Sequence, residues 1–153
     1  MSTSLRLQDF LPYRCTSLAQ RISLSLSRIY TERFGISVAD WRILVTLAEH
    51  GELTARDLTE RTSMDKVRVS RALASMEERS LVIRRPCPQD SRASQVRLTA
   101  AGKSLYRRVV PEALAWEQGL VSALTPREQS SLYALIDKLE SRLEQMSDEA
   151  GVQ

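Results

Sequence analysis

Apolar residues recur at every third or fourth position through most of this chain and alternate with polar ones only in one short middle stretch. Leu11, Cys15, Leu18, Ile22, Leu26 and Ile29 form a stripe with Arg14, Arg21 and Arg28 off it, which predicts a helix over residues 8–33 that stops at Gly35. Pro12 is tolerated there because it falls near the start. Trp41, Leu44, Val45, Leu47 and Ala48 predict a second helix from Val38 to His50. Ser37 is its expected N-cap, Asp40 complements its dipole, and Gly51 follows its end. The lone His50, in the last turn, reads as structural. Thr54 and Asp57 fit a capping box that opens a short helix to Glu60 or Arg61. After a turn over residues 61–64, a helix from Asp65 to Arg79 turns Val69, Ala72, Leu73 and Met76 to one face. Its opposite face carries Val67, Arg68, Ser70, Arg71 and Ser75, with Lys66 at the side.

The pattern then changes. Leu81-Val82-Ile83 and Gln95-Val96-Arg97-Leu98 read as two strands of a hairpin whose loop holds Asp90 and Arg92. Thr99 is expected to cap a helix to about residue 122 that carries Leu105, Val109, Ala113, Trp116 and Leu120 and is kinked at Pro111. Thr125 and Pro126 restart the chain, and Leu132, Leu135, Ile136, Leu139, Leu143 and Met146 line the last helix, with fraying expected from Ser147.

Helix, turn, helix, hairpin and helix in that order is the layout of a winged helix-turn-helix DNA reader. The expected fold is therefore mainly α with a small β-hairpin wing, in one domain over residues 1–153. A DNA-binding lobe spans residues 36–98, and helical dimerisation segments span 8–34 and 99–146. The stripes of these flanking helices have no second layer within the chain to cover them, which predicts a homodimer.

Charge sharpens this picture. The formal net charge is only +3, but residues 54–98 hold ten Arg and Lys against six Asp and Glu, a net of +4. From residue 111 onward there are three against eight, a net of −5, so a polyanion is expected to meet the middle of the chain. Of the 22 basic residues, 19 are arginine, whose planar fork suits phosphate and guanine. No nucleophile elbow, zinc-protease motif, phosphate loop or dinucleotide glycine motif is present, so neither an enzyme nor a cofactor is expected. Cys15 and Cys87 stand far apart and form no metal motif or disulfide framework. Neither a signal peptide nor a membrane span is recognisable, which makes the cytoplasm the expected location.

On this reading Arg68 and Arg71 reach base edges or phosphates, Val67 meets a thymine methyl, and Lys66 and Ser70 contact the backbone. Arg92 enters the minor groove, held by a charge-assisted hydrogen bond that its guanidinium donates to Asp90. Arg84, Arg85 and Arg97 lie near phosphates, with Thr54 and Arg56 as further phosphate contacts. The competing readings are a solvated charged helix face and an ordinary surface turn. The partner is expected to be double-stranded DNA carrying a pseudo-palindromic operator.

The run Asp90-Ser91-Arg92, followed by Val96-Arg97-Leu98-Thr99-Ala100-Ala101-Gly102, resembles the D-x-R…V-x-L-T-x-x-G pattern of the MarR family of bacterial transcription regulators. Met64 to Arg71 is similar to that family's recognition helix and Trp41 to Leu44 to its second helix, and the resemblance covers roughly residues 10 to 146. Ser91 departs from it, standing where many members carry an arginine. The resemblance implies a repressor released by a small aromatic or phenolic ligand that binds between the dimerisation helices and the DNA-binding lobe. It places Tyr13, Arg14 and Arg42 near that cleft, with Trp41 as a wall; core packing for Trp41 and an ion pair for Arg14 are the plainer readings. One branch of the family senses peroxide through a cysteine on the first helix, where Cys15 lies, although Cys15 also suits plain packing. A winged-helix module that binds protein is a further alternative.

Overall fold

In a computed structural model, which describes residues 4–151, the chain forms two compact units, Met1–Ala113 and Leu114–Gln153. The first begins with a 3-10 turn, Leu7–Asp9, and helix α1, Leu11–Arg28, which winds directly into a π-type turn, Ile29–Arg33. Helix α1 therefore starts three residues later than the pattern predicts. Pro12 falls in its first turn, where its missing amide has no intrahelical partner to lose. Helix α2 is Val38–His50, and Ser37 and Asp40 form a reciprocal capping box at its start. Gly51 ends it at φ +82°, a conformation side-chain-bearing residues rarely adopt.

Strand β1, Leu53–Thr54, runs straight into helix α3, Ala55–Thr62, and helix α4, Lys66–Glu78, follows. Strands β2, Val82–Pro86, and β3, Ser94–Leu98, form the hairpin. The sheet has three strands in the order β1-β3-β2, all antiparallel, rather than the two predicted. β1 escapes a sequence reading because its partners, Val96 opposite Leu53 and Gln95 opposite Thr54, lie some forty residues on.

One core unites these elements. Ile43, Leu44 and Leu47 of α2, Leu58 of α3, Val69, Leu73 and Met76 of α4, and Val82, Val96 and Leu98 of the sheet are all buried. Tyr30 and Leu105 and Val109 of helix α5, Ala100–Val121, extend that core. Helix α5 runs through Pro111 as a single element.

The second unit holds the end of α5 and helix α6, Pro126–Gly151. Thr125 and Glu128 cap α6 reciprocally, and the Gln129 side-chain amide donates to the carbonyls of Val121 and Leu124. Helix α6 persists to Gly151, so the fraying expected from Ser147 is corrected; Ser147 and Leu143 share a side-chain-to-carbonyl bond within the helix. Neither α1 nor α6 buries a single residue in the isolated chain.

Candidate nucleic-acid interface

Helix α4 is aimed by its ends. Asp65 caps it by accepting from the Arg68 amide at 2.8 Å, and the preceding turn passes through Ser63 in the left-handed region, with Met64 plugged into the core. Val69, Ala72, Leu73 and Met76 are buried as the periodicity predicts, so Lys66, Val67, Arg68, Ser70, Arg71 and Ser75 all face outward. Val67 is 60% exposed, an apolar side chain held in water on an otherwise polar face. A groove of about 500 Å³ runs between the start of α2 and this face, lined by Ser37, Val67, Arg68, Arg71 and Ser75 among others.

The wing is closed by a bond from the Cys87 amide to the Ala93 carbonyl and by a turn in which Asp90 accepts from the Arg92 amide at 2.9 Å. Asp90 thus fixes the backbone of the tip. It does not clamp the Arg92 guanidinium as the sequence suggests, because an Asp two residues upstream meets the amide first. Arg85 and Arg92 are exposed.

Ion pairs divide the predicted cations into two groups. Arg84 pairs with Glu77 of α4 at 3.1 Å, Arg97 with Glu52 at 3.6 Å, and Arg56 with Glu60 at 3.2 Å. Lys66, Arg68, Arg71, Arg85 and Arg92 have no ion pair with any described residue. The free group lies on the outer face of α4 and on the wing; the tied group braces the lobe. The Arg84–Glu77 bridge joins β2 to the recognition helix, and Arg79 reaches the buried Asp40 carboxylate of α2 at 3.8 Å. Neither link has a local sequence signal.

The Thr54 hydroxyl is committed to Asp57, accepting from its amide and donating to its carboxylate at 2.7 Å. These bonds from the hydroxyl and amide of Thr54 hold the Asp57 carboxyl below the usual carboxylate range. A group depressed on folding stabilises the fold above its unfolded pKa, and that contribution fades as pH falls through the folded value. Thr54→Ala is accordingly expected to cost about 1 kcal/mol at pH 7. In thermal melts, the gap to wild type should narrow in acid as Asp57 protonates.

His50 is exposed at the end of α2, 3.4 Å from Arg61 and 3.6 Å from Glu49. The four residues assigned to a ligand cleft fall into two places. Trp41 stacks on the buried Tyr30 at 4.8 Å, and the neighbouring Arg42 donates to the Thr62 carbonyl. Tyr13 and Arg14 line a surface depression with Leu11, Cys15 and Leu18, seventeen residues before Tyr30. That is about 25 Å along the helical path at 1.5 Å per residue. One chain therefore does not bring the two pairs together. Cys15 is exposed beside Leu11 and Leu18 instead of being packed.

Tyr30 went unnoticed in the sequence. Its hydroxyl is buried with no hydrogen-bond partner among the described residues, and burial pushes its phenol well above the ordinary tyrosine range, opposed by the nearby Arg42 guanidinium. Among the described residues, no helix is long and apolar enough to cross a membrane.

A model of the MarR family matches residues 34–93, from the entry to α2 through to the wing. An HTH-type transcriptional regulator of Bacillus cereus is 28% identical over 123 residues, covering 80% of this chain and 82% of its own length. The HTH-type transcriptional repressor IacR of Pseudomonas putida is 24% identical over 143 residues, covering 94% and 85%. The crystal structure of a MarR/EmrR family transcriptional regulator from Acinetobacter sp. ADP1 superposes with a TM-score of 0.84 at 26% identity, covering 92% of this chain and 99% of that one.

Proposed function

We propose that this chain, a member of the MarR family of winged-helix transcription regulators, is a homodimeric repressor that grips a pseudo-palindromic duplex and releases it on binding a small aromatic acid or phenol. The observation that carries the DNA-binding reading is the division of the cations. Lys66, Arg68 and Arg71 on the outer face of α4, with Arg85 and Arg92 on the wing, are left without ion pairs while their neighbours are tied down. A folded lobe that leaves those five cations exposed together is built to be neutralised by phosphate.

The roles follow from chemistry and position. Arg68 and Arg71 reach guanine edges or phosphates in the major groove, with Val67 against a thymine methyl and Lys66 and Ser70 on the backbone. Arg92 enters the flanking minor groove from a tip that Asp90 has rigidified, and Arg85 meets phosphate beside it. Arg84, Arg97, Arg56 and Thr54 serve first as braces, since each already spends its polar group within the lobe. Two copies related by a two-fold axis present two recognition helices, about 34–36 Å apart for successive major grooves.

Repression is supported by the named role of IacR over most of its length. Release follows if a ligand prefers a dimer whose lobes have the wrong spacing, lowering DNA affinity by its differential binding. Trp41 and Arg42 supply an aromatic wall and a cation for a carboxylate, and Tyr13 and Arg14 join them only from a second copy.

Fluorescence anisotropy on duplexes from the gene's own upstream region tests the reading. Arg92→Ala is expected to weaken specific binding by about 1–3 kcal/mol and to lower the salt slope by about one per subunit. Arg84→Ala should instead lower thermal stability and change the salt slope less. Equal, weak binding to every fragment, unaltered by Arg92→Ala, would sink the proposal.

A further inference from the structure

The two helices that bury nothing in the isolated chain carry opposite charge in matching rows. On α1, Arg14, Arg21 and Arg28 recur every seven residues, so they line up along one flank of the apolar stripe formed by Leu11, Leu18, Ile22 and Ile29. The row is about 21 Å long. All three arginines are exposed, none pairs with a described residue, and α1 contains no acidic residue.

On α6, Asp137, Glu140, Glu144 and Asp148 follow one another at spacings of three, four and four, along one flank of the stripe of Leu132, Leu139, Leu143 and Met146. This row is about 16 Å long, and Asp137 and Glu144 share the seven-residue repeat of the arginines. These four acids are exposed and form no ion pair among the described residues. The opposite flank of α6 carries Lys138 and Arg142, and Arg142 is satisfied by Glu149 at 3.1 Å. Acids are thus left free on one side of α6 only.

We propose that the arginine row of α1 docks on the acidic row of α6 of a second copy of this chain, setting the register in which the two apolar stripes meet. The proposal rests on the homodimer reading and adds the code by which the helices select one another. In this geometry apolar contact supplies the attraction, and the charged flanks decide partner and offset, as flanking charges do in paired helices. A second copy fits better than a polyanion because the same molecule offers a complementary row of the same repeat on an equally uncovered helix.

Charge reversal of the full-length protein, followed by sedimentation equilibrium at low and high salt, tests it. Arg21→Glu with Arg28→Glu makes one variant, and Glu140→Lys with Glu144→Lys makes the other. Both touch only exposed positions, so circular dichroism should match wild type. Each variant alone is expected to self-associate at least about tenfold more weakly than wild type, with the gap closing in 1 M salt where the Debye length falls to about 3 Å. An equimolar mixture should form heterodimers at wild-type strength, because each acidic α1 then meets a basic α6. Carrying both pairs of substitutions in one chain should also restore the dimer. Unchanged association in every variant would overturn the proposal. So would rescue within one chain but not on mixing, which would place the rows against each other in the same molecule. Loss of duplex affinity by Arg21→Glu with Arg28→Glu at an unchanged dimer constant would assign the row to a polyanion. A wild-type protein that stays monomeric would instead remove the homodimer reading itself.

Discussion

Replacing Gly102 with alanine is expected to cost about 3–5 kcal/mol and to lower the melting temperature by about 10 °C or more. A Cβ at that position would stand 2.2 Å from the Leu81 carbonyl oxygen and 3.2 Å from Cδ2 of Leu98. The nearest obstacle is backbone, and it is held from several sides. The Leu81 carbonyl accepts from the Thr99 amide at 3.0 Å and from the Thr99 hydroxyl at 3.2 Å, and that hydroxyl also reaches the Ser80 carbonyl. Gly102 in turn donates its amide to the Thr99 hydroxyl at 3.0 Å, capping α5. The end of the recognition helix, the start of β2 and the first turn of α5 are thus stitched at one point, which only a residue without a side chain allows. Gly119→Ala, in the same helix, is the control with the opposite sign. Nothing lies within 4 Å of a Cβ there, so alanine is expected to be neutral or to stabilise by up to about 1 kcal/mol through helix propensity. Calorimetry on the two variants separates close approach from a general intolerance of helical substitution; equal melting temperatures would disprove the stitch.

That stitch gives a physical meaning to the threonine and glycine of the wing pattern, which the sequence offers only as letters at a fixed spacing. What the sequence showed was local. Ser37, Thr54, Thr99 and Thr125 each cap the helix expected of them, because a cap is decided within four residues. The inward face of α4 was equally plain from its period. What stayed hidden depends on residues distant in the chain. Strand β1 exists only because β3 offers it an edge, and Arg84 is held by an acid seven residues earlier on another element. Asp40 looked like a dipole partner but is a buried acceptor that also meets Arg79. The ligand-cleft assignment joined residues that a single chain separates by the length of α1, since periodicity gives a side chain's face and not its neighbours. Pattern alone put the candidate DNA-contact residues of α4 on its exposed face, yet sorting free cations from braced ones needed the ion pairs.

Converting Leu139 and Leu143 together to lysine is expected to give a monomer that folds normally and has lost operator-selective binding. Both leucines are exposed in the single chain, at 46% and 61%, and α6 buries nothing there, so the fold of the monomer does not depend on them. In a two-fold dimer four leucine side chains leave water at once. At about 1.5–3 kcal/mol for each fully buried side chain, their loss removes an upper bound of 6–12 kcal/mol, comparable to the whole free energy of a micromolar to nanomolar dimer. The added ammonium groups would have to be desolvated as well, which deepens the loss. Once the lobes separate, each half-site is bound alone, and the effective concentration that ties the second lobe to the first is gone. A fall in duplex affinity of about 10²–10⁴-fold is the expected consequence. Size-exclusion chromatography with light scattering reports the first step and anisotropy the second, while an unchanged far-ultraviolet spectrum confirms the fold. A variant that stays dimeric would show that α6 is not the covered face. One that becomes monomeric yet keeps full affinity for a palindrome would show that a single lobe reads the operator, and the two-fold recognition scheme would have to be abandoned.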